Sequence, residues 1–315
     1  MFKFAKTLTS IVLLAGLAIP CLADEPKDIS GMAPMGPMSH SIVTITDAKT
    51  KSDDARLNIL TITPKGPKYS PVTVLNWSDT EAPGQNASDL EAICPVPDVP
   101  FHYYLFESGY WKGGSGRCFE IVLHHHPEFG WVGDVLRVIY PTIKPTDGTT
   151  EDHLQIEGAT ALRDGEETVF IMLGLRGDKN NPGQLVMTRL EHDKLIELER
   201  KTIDLHKFLP NGRSCSDIVL QGIAPNKFAV LVSGCEDLGD NGPFRSVICK
   251  VGEVEILADG YKLFTHAPKL IHKIDGLKVE ALCNTPRFIE GSKISIGTDD
   301  ENFKPVFRPL PENEK

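Results

Sequence analysis

The chain has 315 residues and a formal net charge of −10, from 33 basic and 43 acidic residues. A net-negative chain repels phosphate backbones, so nucleic acid is excluded as a partner. The sequence contains no Gly-x-Ser-x-Gly elbow, no His-Glu-x-x-His motif, no phosphate loop and no dinucleotide fingerprint. These absences disfavour an α/β-hydrolase or a Rossmann enzyme.

Residues 1–23 have the pattern of a secretory signal peptide. Lys3 and Lys6 precede an apolar stretch at 11–19, and a cleavage site of the small-residue type follows at Cys21-Leu22-Ala23. The sequence therefore predicts a periplasmic or secreted protein, with a net charge of −12 once the two lysines are removed. The apolar stretch is too short to span a bilayer, and no later segment is long enough, so we expect no membrane span after cleavage. Lipidation at Cys21 is the alternative, against which the preceding proline argues.

Residues 24–40 are rich in Pro, Gly and Met, a composition that predicts a flexible lead-in. Met32, Met35, Met38 and His40 lie close together within it. Thioether and imidazole groups are ligands for Cu(I), so the segment raises the hypothesis of a copper-handling protein. The alternative is an unstructured linker with chance methionines.

Residues 41–315 are predicted to form one all-β domain, because short alternating apolar runs follow one another between turn residues. A motif returns four times, about 60 residues apart. Its copies begin at Asp89-Leu90-Glu91-Ala92, Gln155-Ile156-Glu157-Gly158, Val219-Leu220-Gln221-Gly222 and Lys278-Val279-Glu280-Ala281. Repeated strand units of this kind predict a β-propeller. We expect about five blades, with six as the alternative, and a ring closed by an N-terminal strand near residues 41–47.

Three glutamates, Glu91, Glu157 and Glu280, occupy equivalent positions in the repeats, and Gln221 takes the fourth. Equivalent positions in a propeller surround one axis. A ring of carboxylates predicts a site for a hard cation, with Ca²⁺ as the expected ion. The alternative is that each glutamate accepts hydrogen bonds from neighbouring blades and sets their register.

A second acidic set stands where the second strand of each repeat ends. Antiparallel pairing would place it at the end of the ring where the first strands begin, which would form an acidic mouth. This set consists of Glu107, Asp178, Glu236, Asp237, Asp299, Asp300 and Glu301. We predict that Asp237, Asp299 and Asp300 contribute to the metal site, although turns also favour such residues.

The predicted ligand-binding residues combine Glu107 with three arginines that recur near the third strand of their repeats, Arg117, Arg245 and Arg308. Arginines can hold an anion by bidentate hydrogen bonds. The alternative is that each arginine pairs with a neighbouring acid.

Six cysteines would remain after signal cleavage, and an even number in an exported protein suggests disulfide bonds. Cys215 precedes the first strand of its repeat and Cys235 follows the second. Because those two ends are adjacent in an antiparallel sheet, the sequence predicts a Cys215–Cys235 disulfide. No pair has Cys-x-x-Cys spacing, which argues against a zinc ribbon.

The segments 89–92, 106–109 with Arg117, and 279–281 with 297–301 together resemble exported bacterial propellers of the phytase-like, or esterase-like-activity-of-phytase, type, or a related domain of unknown function. The resemblance implies a propeller with acidic residues near its axis, bound calcium and phosphoesterase activity.

The predicted function is an exported propeller that binds a small ligand or a protein partner through an acidic mouth, with or without calcium. A metal-dependent phosphoesterase and a copper-handling protein are the alternatives. Whether the protein is an enzyme stays open at this point.

Overall fold

A five-bladed β-propeller forms the fold of the chain. The computed structural model describes residues 26–36, 39–48, 56–74, 89–109, 116–143, 155–236, 238–239, 241–300 and 302–312. Every regular element of these residues is a β-strand, and no helix among them could cross a membrane. The predicted signal peptide, Met38 and Asp237 lie outside the described residues.

The first three blades each contain four antiparallel strands. The first has β1 (Gly31–Pro34), β2 (Ser41–Ile45), β3 (Leu57–Thr63) and β4 (Gly66–Val74). The second has β5 (Leu90–Pro95), β6 (His102–Glu107), β7 (Cys118–His126) and β8 (Gly130–Pro141). The third has β9 (Ile156–Arg163), β10 (Val169–Leu175), β11 (Gly183–Glu191) and β12 (Lys194–Ile203).

The fourth and fifth blades complete the ring. The fourth has β13 (Arg213–Ala224), β14 (Lys227–Glu236), β15 (Arg245–Leu257) and β16 (Gly260–Asp275). The fifth has three strands, β17 (Val279–Asn284), β18 (Ser292–Thr298) and β19 (Phe307–Pro311). Parallel pairing of β8 with both β4 and β12 also links the outer edges of the first three blades.

Each junction between adjacent blades buries its own hydrophobic cluster. Ile156 of the third blade, for example, packs with Phe106 of the second, and Ile218 of the fourth packs with Met172 of the third. Three further clusters fill the remaining junctions, including the one between the fifth blade and the first. Because both faces of a blade are covered, its strands carry apolar residues on both faces, and the apolar runs repeat along the chain.

Hydrogen bonds close the ring at the end where the innermost strands begin. The innermost strands are the first strands of the blades, β1, β5, β9, β13 and β17. In each blade, a residue within two positions of the start of this strand donates a backbone N–H to the preceding blade. The pairs are Asp89 N to Ala48 O at 3.3 Å, Ile156 N to Ser108 O at 2.9 Å, Cys215 N to Arg176 O at 3.1 Å, Val279 N to Ser246 Oγ at 2.9 Å and Ile29 N to Thr298 O at 3.0 Å. The last pair joins the N-terminal blade to the fifth.

The prediction of a five-bladed propeller closed by an N-terminal strand is confirmed, with one difference in detail. The strand predicted near residues 41–47 is β2 inside the first blade, and it is β1 that packs against β17 of the fifth blade.

The flexible lead-in predicted for residues 24–40 is wrong where the structure describes it, because Gly31–Pro34 forms an innermost strand. Met32 and Met35 are buried in two different hydrophobic clusters, and His40 stacks on Phe288 with ring centroids 4.0 Å apart. These side chains are therefore parts of the core and its edge. The predicted copper-binding segment is wrong.

The predicted disulfide is also absent. All six cysteines of the described residues are buried free thiols. Cys215 and Cys235 do lie on adjacent strands, as the sequence predicts. However, Cys215 lies in an irregular stretch of β13, and Ser216 Oγ contacts Cys235 Sγ at 3.3 Å. Antiparallel pairing of β13 with β14 within the fourth blade thus holds these two strands together without a covalent bond.

Candidate active site at the axial mouth

The innermost strands direct charged side chains toward the end of the ring where they begin, which we call the axial mouth. It consists of Asp28, Asp47, Asp89, Glu91, Glu157, Arg176, Arg213, Lys278, Glu280 and Asp299. In three blades the second residue of the innermost strand is a glutamate at which the pairing register shifts. Such a bulge re-aims a side chain and is common next to active sites. It turns Glu91, Glu157 and Glu280 toward one another.

The predicted equivalence of Gln221 with these glutamates is wrong. Gln221 pairs with Ala229 near the far end of β13, well away from the axial mouth. The stretch of β13 that corresponds to the glutamate bulge lies between Arg213 and Asp217 and contains no carboxylate before Asp217 itself. Asp217 accepts backbone N–H groups of Ile218 and Leu282 at 2.7 and 2.6 Å, so it joins the fourth and fifth blades.

Glu157 and Glu280 have different neighbours. Glu157 Oε1 lies 3.8 Å from Arg176 Nη1 and 3.5 Å from Ser108 Oγ, so a guanidinium and a hydroxyl donor contact it. Glu280 Oε1 lies 3.2 Å from Lys278 Nζ and 3.4 Å from Arg213 Nη1. Both glutamates are at most 5% exposed, so their charges interact with little screening by water.

Lys278 is a buried cation, only 3% exposed. Its ammonium lies 2.7 Å from Asp299 Oδ2 and 3.2 Å from Glu280 Oε1, and so bridges the two carboxylates. Its backbone N–H donates to Asp300 Oδ1 at 2.7 Å, and Thr298 Oγ1 donates to Asp300 Oδ2. A lysine this buried is held in place by paired acids on both sides.

Burial raises the pKa of several of these acids. The pKa of Glu280 rises to about 7, mainly because of burial, against the opposing effect of Lys278 and Arg213. The pKa of Glu91 rises well above its usual range because of burial and the charges of Glu157 and Glu280. Burial, with the charges of Asp47 and Asp299, also raises the pKa of Asp28 to about 7. Near neutral pH the axial mouth therefore holds protonated and ionised carboxyl groups side by side.

One part of the axial mouth has the geometry of a cation site. Carboxylate oxygens of Asp47, Asp89 and Glu91 all lie within 4.8 Å of one another. Of the acids predicted to bind metal that the structure describes, only Glu91 belongs to this group. Asp299 and Asp300 instead surround Lys278, and so they are not grouped with Glu91 as one metal centre.

The predicted ligand-binding residues do not form a common site. Arg117 donates to Glu107 through Nε at 2.9 Å and Nη2 at 2.7 Å, so the two side chains bind each other. Arg245 contacts both Glu236 and Asp275. Arg308 is exposed on the outermost strand β19. The alternative, that the arginines pair with neighbouring acids, therefore describes Arg117 and Arg245.

Six residues of the axial mouth were not predicted as site residues from the sequence: Asp28, Asp47, Asp89, Arg176, Arg213 and Lys278. Lys278 carries a detectable signal, since it opens the fourth copy of the motif, two residues before Glu280. Arg213 begins β13 but lies eight residues before the motif position Gln221, so the repeat does not mark it. Arg176 directly follows β10. Asp28 has no such signal, because the repeat pattern does not mark its strand.

Comparison with known proteins identifies the fold. No protein-family model and no curated protein sequence matches the chain. Among solved structures, the endo-arabinase from Bacteroides thetaiotaomicron is similar at a TM-score of 0.53 and 11% identity, over 93% of this chain and 98% of that one. An exo-1,5-α-L-arabinanase from a bovine ruminal metagenomic library is similar at 0.50 and 10%, over 91% and 94%.

The chain shares the fold of these arabinan-degrading propellers. At such low identity the similarity establishes the architecture alone. The resemblance to phytase-like propellers is wrong, because the comparisons lead to propellers with different described activities and no family model supports it.

Proposed function

We propose that the axial mouth binds a carbohydrate and that its carboxyl groups hydrolyse a glycosidic bond. The observation that carries the proposal is the pairing of Glu280, with its pKa raised to about 7, and Glu157, which is contacted by Arg176. Glycoside hydrolysis uses two carboxyl groups on opposite sides of the bond, one protonated and one ionised. The two acids have different surroundings, since Glu280 lies between Lys278 and Arg213 while Arg176 and Ser108 contact Glu157, and differences of this kind assign such roles.

In this mechanism Glu280 is the general acid. It donates its proton to the leaving oxygen, and Lys278 and Arg213 then stabilise the carboxylate that remains, at 3.2 and 3.4 Å. Glu157 acts from the other side as the base for water or as the nucleophile, held by Arg176 and Ser108. A positioned general acid typically contributes a factor of about 10² to 10⁴ in rate.

The chemistry of the axial mouth suits a neutral polyhydroxylated ligand. Protonated carboxyls, Lys278 and the arginines donate hydrogen bonds, while ionised carboxylates accept them, and sugar hydroxyls do both. A phosphate ester would meet an excess of carboxylates, and Arg117 and Arg245 are already paired with acids. The two arabinan-degrading propellers of the same fold give further support to a sugar substrate.

The test is a hydrolysis screen of the chain without residues 1–23. Plant and microbial polysaccharides, arabinan among them, are incubated with the protein, and released reducing ends are measured. We expect Glu280→Gln to lower the rate on the active substrate by about a hundredfold or more. Glu312→Gln, in an exposed pair with Lys293, is the matched control and should keep full activity.

The pH profile of the active substrate is the second readout. If Glu280 is the acid, kcat should fall on the alkaline side of about pH 7, and the product anomer will show whether Glu157 is base or nucleophile. A folded protein that neither cleaves nor binds any polysaccharide of the screen would overturn the proposal.

A divalent cation, with Ca²⁺ as the first to test, is a second candidate ligand of the axial mouth. The observation that favours it is the group Asp47, Asp89 and Glu91, whose oxygens lie as close together as those around a hard cation. Burial is the main cause of the raised pKa of Glu91, and the charges of neighbouring acids add to it. An ion there would offset that second contribution.

Calcium binding predicts a higher melting temperature, because a bound ion stabilises the fold by about 2.7 kcal/mol at a hundredfold excess over its Kd. Glu91→Gln should weaken that response, and Glu312→Gln should not. If calcium leaves the melting curve of the wild type unchanged, the three acids are structural.

A further inference from the structure

The opposite end of the ring contains a cavity that the proposed function does not use. β1, β5 and β17 all end there, at Pro34, Pro95 and Asn284. The cavity has a volume of about 580 Å³ and lies between the first, second and fifth blades. Small-molecule sites in proteins occupy about 300–1,000 Å³. We call it the apolar pocket and define it by Met35, Pro95, Val96, Val99, Phe101 and Arg287.

Most of its polar groups already have partners inside the protein. Tyr103 donates its hydroxyl to Pro34 O at 3.3 Å, and Asn284 Nδ2 donates to Leu220 O at 2.9 Å. The hydroxyl of Thr285 lies 2.9 Å from those of both Ser292 and Ser295. The walls are therefore suited to an apolar body rather than to a polar one.

A strained aromatic residue stands at the rim. Phe101 has a φ of 60°, a left-handed conformation that is a genuine outlier for a bulky side chain. It is also 43% exposed, so burial of its ring does not explain the strain. Asp98 in the same turn has the same φ. Backbone strain of this kind is concentrated at ligand-binding sites, where the surrounding structure holds a side chain in the position that contacts the ligand.

Two charged side chains at the rim, Arg287 and Asp98, determine which polar group a ligand of the pocket should carry. Arg287 is exposed, and it makes no hydrogen bond or ion pair with another residue in the part of the chain that the structure describes. A guanidinium in this position offers two parallel donors to a carboxylate. Asp98, the other charged residue of the rim, opposes a ligand with several negative charges.

We infer that the apolar pocket binds a small aromatic carboxylate, whose ring contacts Phe101 and Val99 and whose carboxylate pairs with Arg287. The inference is independent of the axial mouth, since the pocket shares no residue with it. The pocket is closed on three sides by separate blades, which favours a small molecule over a protein segment.

The test uses naphthoate as the probe and naphthalene methanol as its neutral analogue, titrated by calorimetry into the chain without residues 1–23. The wild type should bind naphthoate more tightly than the alcohol. Arg287→Gln should weaken naphthoate binding by about tenfold and leave the alcohol unchanged, as expected for loss of one charge-assisted contact. Arg308→Gln, the same change on the outer strand of the same blade, is the control.

A second pair of variants separates ligand binding from stability. Phe101→Asn removes the ring but suits the left-handed conformation, so the melting temperature should stay equal or rise while naphthoate binding falls by about fivefold or more. Phe129→Asn, at another exposed turn of the second blade, should leave binding unchanged. Val99→Trp should block the pocket.

Equal binding of naphthoate and the alcohol would overturn the carboxylate assignment. Naphthoate binding that survives both Phe101→Asn and Val99→Trp, or no binding at millimolar naphthoate, would overturn the pocket as the site.

Discussion

The two ends of the innermost strands have opposite chemistry, although the same strands form both. At the axial mouth the strands begin with bulges that carry Glu91, Glu157 and Glu280, and Lys278 lies among them. At the other end they finish in Pro34 and Pro95, beside an apolar pocket. The mouth is held by charge pairs and hydrogen bonds between blades, and the pocket end by apolar contacts.

The comparison shows that the unfavourable free energy of burying clustered acids is confined to one end of this propeller. Clustered buried acids destabilise the folded state, because burial disfavours the charged form of each acid and like charges repel one another. The apolar end carries no comparable cluster among the described residues. Acids with perturbed pKa values cluster at functional sites, so the axial mouth is the strongest candidate for an active site. The predictions below test whether the two ends differ as the contacts indicate.

Lys278→Met should give the largest loss of stability. The change removes the ammonium between Glu280 and Asp299 and leaves two buried acids without it, which costs about 3–5 kcal/mol. Urea unfolding measures the difference. Lys293→Met breaks an exposed pair with Glu312 and should cost no more than about 1 kcal/mol. Equal losses for the two variants would contradict a special role for the buried lysine.

Gly158→Ala should destabilise by about 1–3 kcal/mol, the usual range for overpacking a tight interior. A Cβ at this position would lie 2.7 Å from Ile218 N of the next blade, a backbone atom that cannot move away easily. Gly222→Ala, near the far end of β13, is the control because a Cβ there meets nothing within 4 Å. Thermal unfolding should separate the two variants clearly, and a neutral Gly158→Ala would mean that the blades can shift apart.

Stability should fall as the pH rises from 5 to 6. The folded-state pKa of Glu280 is about 7, above its unfolded value of 4.5, so the native state holds a proton that the unfolded chain has lost. The free energy of unfolding therefore decreases by about 1 kcal/mol per pH unit for one such group. Asp28 acts in the same direction. Denaturant titrations at several pH values should show a smaller slope for Glu280→Gln, and an unchanged slope would contradict the raised pKa.

The reactivity of buried thiols toward alkylation should show the smallest difference between the two ends. Burial raises the pKa of every thiol for which a shift is found, but the positive charge of Arg213 limits that of Cys235 to about 11. Cys94, at the pocket end of β5, has no such cation. Mass spectrometry after slow alkylation should find Cys235 modified before Cys94.

The denatured chain without residues 1–23 should show six free thiols, and fewer would restore the disulfide prediction.

The architecture could be predicted from the pattern of residues along the chain. Apolar runs on both faces, turn residues between them and a period of about 60 residues predict stacked sheets around an axis, because each blade needs its neighbours to bury it. Glu91, Glu157 and Glu280 could be placed at matching positions, since their motifs share the same apolar and small neighbours. The same reasoning predicted that acids gather at one end of the ring.

Which residues lie together in a site depends on contacts that form when the chain folds. Gln221 fits the motif but lies near the far end of β13, because that strand begins at Arg213, eight residues before it. Met32 lies in a short strand without a repeat signal, and Asp28 precedes that strand. The strand packs against the fifth blade, whose residues are far along the chain. Protonation of Glu280 depends on burial and on Lys278, Arg213 and Asp299, a balance set by folded distances that spacing along the chain does not encode.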